Sequence, residues 1–262
     1  MAAGSQRPLE GEVALVTGAS GDIGGATAVR LAELGARVGL NYYASEEGVR
    51  RVQGEIQRAG GTCVPLRGDV GSESDVEAIA RRVGAELGTV TLLVNNAGGG
   101  AVHNQPEHIS LVEWDRVIAT NLTAAFLCTR AFVPGMRKAG RGRIVNISSL
   151  CGVTGDCDPA YCAAKAGILG LTRSTAARLA PTIQVNAILP GFVGTKYHSE
   201  RKPLVKTVAP DGRLAEPSEV AELVGVLMAL KSTFLTGACI SMDGGASSAS
   251  LGMHMNWVQD PE

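Results

Sequence analysis

Val13-Ala14-Leu15-Val16-Thr17-Gly18-Ala19-Ser20-Gly21-Asp22-Ile23-Gly24 reads as a short apolar strand, a glycine-rich turn and the opening of a helix. The four apolar residues have no polar alternation, as in a strand covered on both faces. The helical period that follows runs to Leu34 and stops at Gly35. A glycine turn between a strand and a helix lets backbone N–H groups and the helix N-terminus meet a phosphate. The spacing departs from the common G-x-G-x-x-G loop, so the order strand, turn, helix carries the reading.

Outward from this loop the pattern repeats. Strands are expected at Arg37 to Leu40, Thr62 to Leu66, Leu92 to Val94, Arg143 to Ile147, Ile183 to Leu189 and Ala238 to Ser241. Helices are expected at Ser45 to Ala59, Ser72 to Leu87 (with Ser72 as N-cap), Leu111 to Ala139 with a break near Thr120, Pro159 to Leu179, and Ser218 to Leu230. Apolar strands alternating with helices imply an α/β chain, a single-domain Rossmann-type doubly wound parallel sheet of about seven strands with helices on both faces. One domain is expected over 1–262, with no internal repeat or linker. Residues 191–216 interrupt the alternation and read as a substrate lid, and 246–262 as a C-terminal tail.

Glycine is abundant, 34 of 262 residues, and aromatics are 4%. The core must therefore rest on Ala, Val, Leu and Ile, with backbones packed closely. A collagen period is absent and 45% hydrophobic residues exclude a disordered chain. A net charge of −1 with no basic run gives no reason to expect nucleic acid. No apolar run long enough for a membrane span and no signal-like N-terminus are read, so a cytoplasmic protein is expected. The six cysteines (63, 128, 151, 157, 162 and 239) form no CxxC pair. They are expected as reduced thiols. Cys151, Cys157 and Cys162 lie close together, but their spacing fits no common ligand pattern, and no metal is expected.

Tyr161 and Lys165 are four apart on an expected helix and so share one face. An ammonium near a phenol favours the phenolate and would lower the tyrosine pKa toward working pH. That makes Tyr161 a candidate proton donor and acceptor.

Taken together, the loop Thr17 to Gly24, Asn95-Asn96-Ala97-Gly98, Tyr161-Cys162-Ala163-Ala164-Lys165, Pro190-Gly191 and Asp243-Gly244-Gly245 resemble the motif series of the short-chain dehydrogenases/reductases, over roughly residues 10–246. The pattern most resembles the 3-oxoacyl-carrier-protein reductases. The resemblance implies an NAD(P)(H)-dependent oxidoreductase moving hydride between nicotinamide and a ketone or secondary alcohol. An NAD-dependent alcohol, sugar or steroid dehydrogenase is the alternative, and a catalytically silent nucleotide sensor the rival of another class.

The resemblance also implies site residues. Gly18, Ser20, Asp22, Ile23 and Gly24 belong to the cofactor loop. Asp22 stands where the family has a glycine and is expected to cap the first helix, pointing away from the phosphates. Asp69 and Val70 are expected at the adenine, Asn95, Ala97 and Gly98 on the ribose side, and Pro190, Gly191, Val193 and Thr195 near the nicotinamide. Tyr161 and Lys165 would serve both cofactor and catalysis. Ser149, favoured over Ser148, would hydrogen-bond the carbonyl oxygen, and Asn121 would hold a water in a proton relay to Lys165. No acidic residue closes the second strand, where Asn41 and Tyr42 stand, with Ser45 beyond them. NADP(H) is therefore favoured and NAD(H) remains possible. His103, Cys151, Val153 and Phe192 are candidate substrate contacts. The lid cations Lys196, His198, Arg201, Lys202 and Lys206 suit an anionic or carrier-linked substrate, or simply face solvent. A homotetramer or homodimer is expected.

Overall fold

The structure is a computed structural model and describes residues 7–100, 105–195 and 209–248. Seven parallel strands form one sheet in the order β3-β2-β1-β4-β5-β6-β7. They are β1 (Val13–Val16), β2 (Arg37–Tyr42), β3 (Cys63–Arg67), β4 (Leu92–Asn95), β5 (Gly142–Ile147), β6 (Ile183–Pro190) and β7 (Cys239–Met242). The helices are α1 (Asp22–Glu33), α2 (Glu46–Arg58), α3 (Glu73–Glu86), α4 (Leu111–Ile118), α5 (Ala124–Lys138), α6 (Cys151–Thr154), α7 (Pro159–Leu179) and α8 (Pro217–Ala229).

Strand pleating divides the core. Ala14 and Val16 of β1 pack with Val38, Leu40, Val94 and Ile147 under α1, α2 and α8. Val13 and Leu15 point the other way and pack with Leu93, Ile144 and Val185 under α3, α5 and α7. Side chains alternate across a strand, so one strand serves both layers only if all its residues are apolar. The helices match this with one apolar stripe each. On α2 the buried residues are Val49, Val52 and Ile56, spaced three and four apart. Its outer face carries the exposed pairs Arg50–Glu46 and Arg51–Glu55, which add little because water screens them.

Glycine and serine chemistry sets several of the helix ends. Gly35, Gly60 and Gly88 follow α1, α2 and α3 with φ of 105°, 76° and 102°, values that favour glycine. Ser45 caps α2 by accepting from Gly48 N at 3.2 Å. Ser72 holds the N-cap position of α3 without a capping bond, because its hydroxyl pairs with that of Ser74 at 3.0 Å. The expected break near Thr120 is a π-turn, Ala119–Thr123, in which the Ala124 N–H reaches back to Ala119 O. The whole Leu111–Lys138 run is long and apolar enough to cross a membrane, contrary to expectation. In this fold Val117, Leu127, Cys128, Phe132 and Met136 along it are buried.

The chain winds β1, β2, β3 to one side and returns past β1 to β4. The switch point between β1 and β4 opens a crevice at the carboxyl ends of the strands, where ligands of such sheets bind.

Candidate active site

Two loops meet at that crevice. Thr17 ends β1, and its Oγ1 accepts from the N–H groups of Asn96 and Ala97, both at 2.9 Å. In return Asn96 Nδ2 donates to Thr17 O at 2.9 Å. Asn95 pairs with Asn146 across the β4–β5 register. Thr17 and Asn96 thus staple the loop after β1 to the loop after β4. Neither residue figured among the candidates, because a backbone staple leaves no chemical signature beyond the motif that contains it.

Gly18 and Gly24, on either side of the β1–α1 turn, are glycine by necessity. Gly18 has φ 66°, and a Cβ on Gly24 would stand 2.3 Å from Gly18 O and 2.5 Å from Asn96 Nδ2. Gly21 is different: its φ is −85°, and a Cβ there would meet only Gly18 O at 3.5 Å. Gly21, not Asp22, is the N-cap of α1, and it has no side chain to cap with. Asp22 is instead the first helical residue, where its carboxylate favours the helix dipole. That corrects the expected capping role. Ser20 and Ile23 are half-buried beside the loop. Gly18 and Gly24, both closed to a Cβ, keep side chains off the start of a 12-residue helix, where backbone N–H groups suit a pyrophosphate.

Asn41 corrects a second expectation. It is 2% exposed. Its amide donates to Leu66 O at 3.2 Å and Gly68 O at 3.0 Å, and its Oδ1 accepts from Gly18 N at 3.3 Å. Both donor hydrogens are consumed inside the protein, so Asn41 braces the glycine loop and has none to offer a 2′-phosphate. Tyr42 is half-buried beside it, and Ser45 is exposed. Asp69 turns the chain after β3, accepting from Gly71 N at 2.8 Å, and Val70 is buried in the α3 layer.

Asn95 also points inward. Its Nδ2 donates to Asn146 Oδ1 at 2.8 Å, and Asn146 donates to Thr172 Oγ1 at 2.9 Å. This ladder ties β4 and β5 to α7, which corrects the expectation of a ribose-side contact by its side chain. Ala97 is half-buried and Gly98 exposed. A Cβ on Gly98 would lie 2.4 Å from Asn121 Oδ1 and 3.3 Å from Lys165 Nζ. Asn121 sits buried in the π-turn, donates to Gly99 O and Val117 O at 2.8 Å each, and accepts from Gly99 N at 3.3 Å. Its side chain therefore fixes the loop after β4.

Behind that loop β5 and α7 bring three side chains together. Asp158 caps α7, accepting from Tyr161 N at 2.8 Å, and Pro159 starts the helix. Tyr161 and Lys165 then share its inner face, with Lys165 Nζ 5.3 Å from the Tyr161 ring centroid. Lys165 is buried and donates to Ile147 O at 2.9 Å. Burial pulls its ammonium down to about 8. Ser149 stands beside the Tyr161 phenol and favours its ionised form. Ser148 turns away and donates to Lys165 O at 2.8 Å. Burial pushes the Tyr161 phenol up, Ser149 offsets part of this, and Asp158 and Cys162 add to the rise. The expected lowering by Lys165 is thus not what governs Tyr161; desolvation of the phenolate is.

Cys151 and Cys157 form a disulfide with Cα atoms 5.7 Å apart. That overturns the expectation of six reduced thiols, since α6 and the turn after it fold these two back on each other. Cys63, Cys128, Cys162 and Cys239 are free. Asp156 stands near both bridged sulfurs, but sulfurs tied in a disulfide are not thiolate ligands. Val153 is exposed.

Past β6, Pro190 pairs with Met242. Gly191 packs on Asp243, whose Cβ would lie 2.8 Å from a Gly191 Cβ. Phe192 is half-buried and Val193 buried. Val193 bridges to Ala215, and the Thr195 N–H donates to Val193 O at 2.7 Å. The base of the expected lid is thereby tied down at both ends. His103 and the cations from Lys196 to Lys206 lie outside the described residues, as does most of the tail.

Residues 12–204 match the short chain dehydrogenase family. The chain is 39% identical over 239 residues to a cis-4-hydroxycyclohexanecarboxylate dehydrogenase of Sinomonas cyclohexanicum, covering 89% of this chain and 95% of that one. It is 37% identical over 243 residues to the 3-oxoacyl-(acyl-carrier-protein) reductase of Vibrio cholerae, covering 90% and 98%. A crystal structure of a candidate gluconate dehydrogenase from Agrobacterium tumefaciens superposes with a TM-score of 0.87 at 35% identity, over 94% of this chain and 99% of that one.

Proposed function

This chain belongs to the short-chain dehydrogenase family of NAD(P)-dependent oxidoreductases, and from that premise we propose that it is a ketoreductase of the 3-oxoacyl type, working with NADP(H). One observation carries the reading: Ser149, Tyr161 and Lys165 converge beside the Gly98 loop at the carboxyl edge of the sheet.

The backbone of Gly18 to Gly24 and the start of α1 hold the pyrophosphate, Asp69 and Val70 flank the adenine, and Pro190 to Thr195 border the nicotinamide. The cofactor supplies hydride chemistry, which no side chain here provides. Tyr161 gives its phenolic proton to the carbonyl oxygen in reduction and takes it back in oxidation. The Ser149 hydroxyl hydrogen-bonds the same oxygen and shares its developing charge. Lys165 holds the cofactor ribose, and its cationic form, 5.3 Å from the ring, favours the phenolate when the proton leaves. Asn121 keeps the Gly98 loop seated between itself and Lys165. NADP(H) is favoured because no carboxylate at the end of β2 repels a 2′-phosphate.

A dehydrogenase running toward the ketone with NAD is the second reading, favoured by the similarity to the hydroxycyclohexanecarboxylate enzyme. Both relatives' names place the reacting carbon in a molecule with a carboxyl or acyl group, and the lid cations suit such a substrate. Exposed Leu111, Val112, Phe126 and Phe234 supply apolar surface for a homotetramer or homodimer, which sedimentation would test. The cytoplasm is the proposed location.

A panel of 3-oxoacyl thioesters, cyclic ketones and alcohols with NADPH and NAD, followed at the nicotinamide absorbance, tests the reaction. Tyr161→Phe should retain cofactor binding and lose nearly all turnover; retained turnover would refute the role of Tyr161.

A further inference from the structure

We propose that the Cys151–Cys157 disulfide is a redox-sensitive clamp that sets Ser149 against Tyr161, so that a dithiol reductant lowers turnover and reoxidation restores it. The inference rests on the proposed roles of Ser149 and Tyr161.

Each end of the bridge is joined to one of these two residues. At one end the Cys151 N–H donates to Ser149 Oγ at 3.2 Å, and Gly152 N donates to Ser149 O at 3.1 Å. At the other end Cys157 directly precedes Asp158, the side chain that caps α7 at Tyr161 N. The segment between them also leans on Lys165: a Cβ on Gly152 would stand 2.8 Å from the Lys165 carbonyl carbon. The bridge therefore closes a short loop whose two feet stand on the groups that meet over the carbonyl oxygen. Val153 to Cys157 are exposed, so the outer half of the loop is not held by burial.

The same exposure makes the bond reachable. One thiolate of a dithiol attacks Cys157 Sγ, and Cys151 leaves as a thiolate. The second thiolate of the reductant closes on the mixed disulfide and releases Cys157. Two electrons pass to the protein sulfurs, two protons follow, and the reductant ends as a disulfide. Cys63 and Cys128 are buried and take no part; burial pushes Cys128 up to about 12. In a reducing compartment a bond of this kind is more often a sensor than a staple.

The full chain, purified without reductant, is divided and one half treated with dithiothreitol. Thiol titration in denaturant should find four free cysteines before treatment and six after, with a 151–157 cross-link in the peptide map. With NADPH and the best ketone of the panel, kcat should fall about tenfold on reduction and recover with oxidised dithiothreitol, while NADPH Kd stays within about twofold. The Cys151→Ser/Cys157→Ser double variant should sit at the reduced level and ignore reductant. Amide exchange over 149–161 should quicken about tenfold on reduction, whether or not turnover is seen. Six free thiols in the untreated protein would overturn the proposal, as would equal kcat and equal exchange in the two forms. No turnover in either form, with exchange still responding, would count against the ketoreductase reading and support the clamp.

Discussion

Lys165 Nζ lies 5.3 Å from the centroid of the Tyr161 ring and is held there by the carbonyl of Ile147 at 2.9 Å. Its proton is costly to keep, because burial lowers its pKa from 10.5 to about 8. Between about pH 8 and 10.5 the unfolded chain binds more protons at this residue than the folded one, so the contribution of Lys165 to folding stability rises with pH across that window, by about 3 kcal/mol. Below pH 8 both states are charged and the slope vanishes. Above pH 10 the raised Tyr161 pKa acts in the opposite sense, since the unfolded phenol ionises first. Urea unfolding from pH 7 to 9, compared with Lys165→Met, should show stability rising in the parent relative to the variant, before the raised thiols of Cys63, Cys128 and Cys162 act in the opposite sense in both.

Ser148 and Ser149 are neighbours with different partners. Ser149→Ala should lower kcat by about 10²–10³, the usual cost of one donor to a developing oxyanion, with cofactor Kd unchanged. Ser148→Ala loses a buried bond to Lys165 O. It should cost about 1 kcal/mol of stability and only a few-fold in kcat. The reverse pattern in steady-state kinetics would transfer the role to Ser148.

Asn41→Asp looks like the direct route to NAD preference, since a carboxylate there repels a 2′-phosphate. The structure argues otherwise. The new oxygen would face Leu66 O and Gly68 O, which now accept from the amide. Unfolding should show a loss of about 2–4 kcal/mol, without a gain in NAD affinity.

Gly21→Arg is the permissive counterpart. Gly21 is exposed, its φ of −85° suits any residue, and a Cβ has room. A guanidinium there should tighten NADP(H) by about tenfold relative to NAD(H) at low salt, read as the ratio of the two Kd values by fluorescence titration.

Gly24→Ala should be the most damaging single methyl in the site. Its Cβ would be driven into Gly18 O and Asn96 Nδ2. Cofactor affinity should fall by more than about tenfold, with about 1–3 kcal/mol lost from folding. Gly21→Ala, with only an ordinary contact to meet, should change neither by much.

Local pattern alone determined a great deal of this protein. Runs such as Val13–Val16 and Leu92–Asn95 read as buried parallel strands because every residue is apolar or ends the strand. The stripe Val49, Val52, Ile56 and the helix-ending glycines Gly35, Gly60 and Gly88 are likewise properties of a few adjacent residues. The pairing of Tyr161 with Lys165 needed only the pitch of one helix. What adjacency cannot supply is the partner a side chain meets across the fold. Asn41 and Asn95 read as polar groups at a ligand edge, but neighbouring strands offered them buried carbonyl and amide partners, and a buried amide pairs where it can. Gly191 is small because Asp243, at the end of the neighbouring strand β7, packs on it. The balance between desolvation and nearby charge at Tyr161 and the closure of Cys151 on Cys157 likewise depend on distances and burial that exist only once strands and helices are assembled.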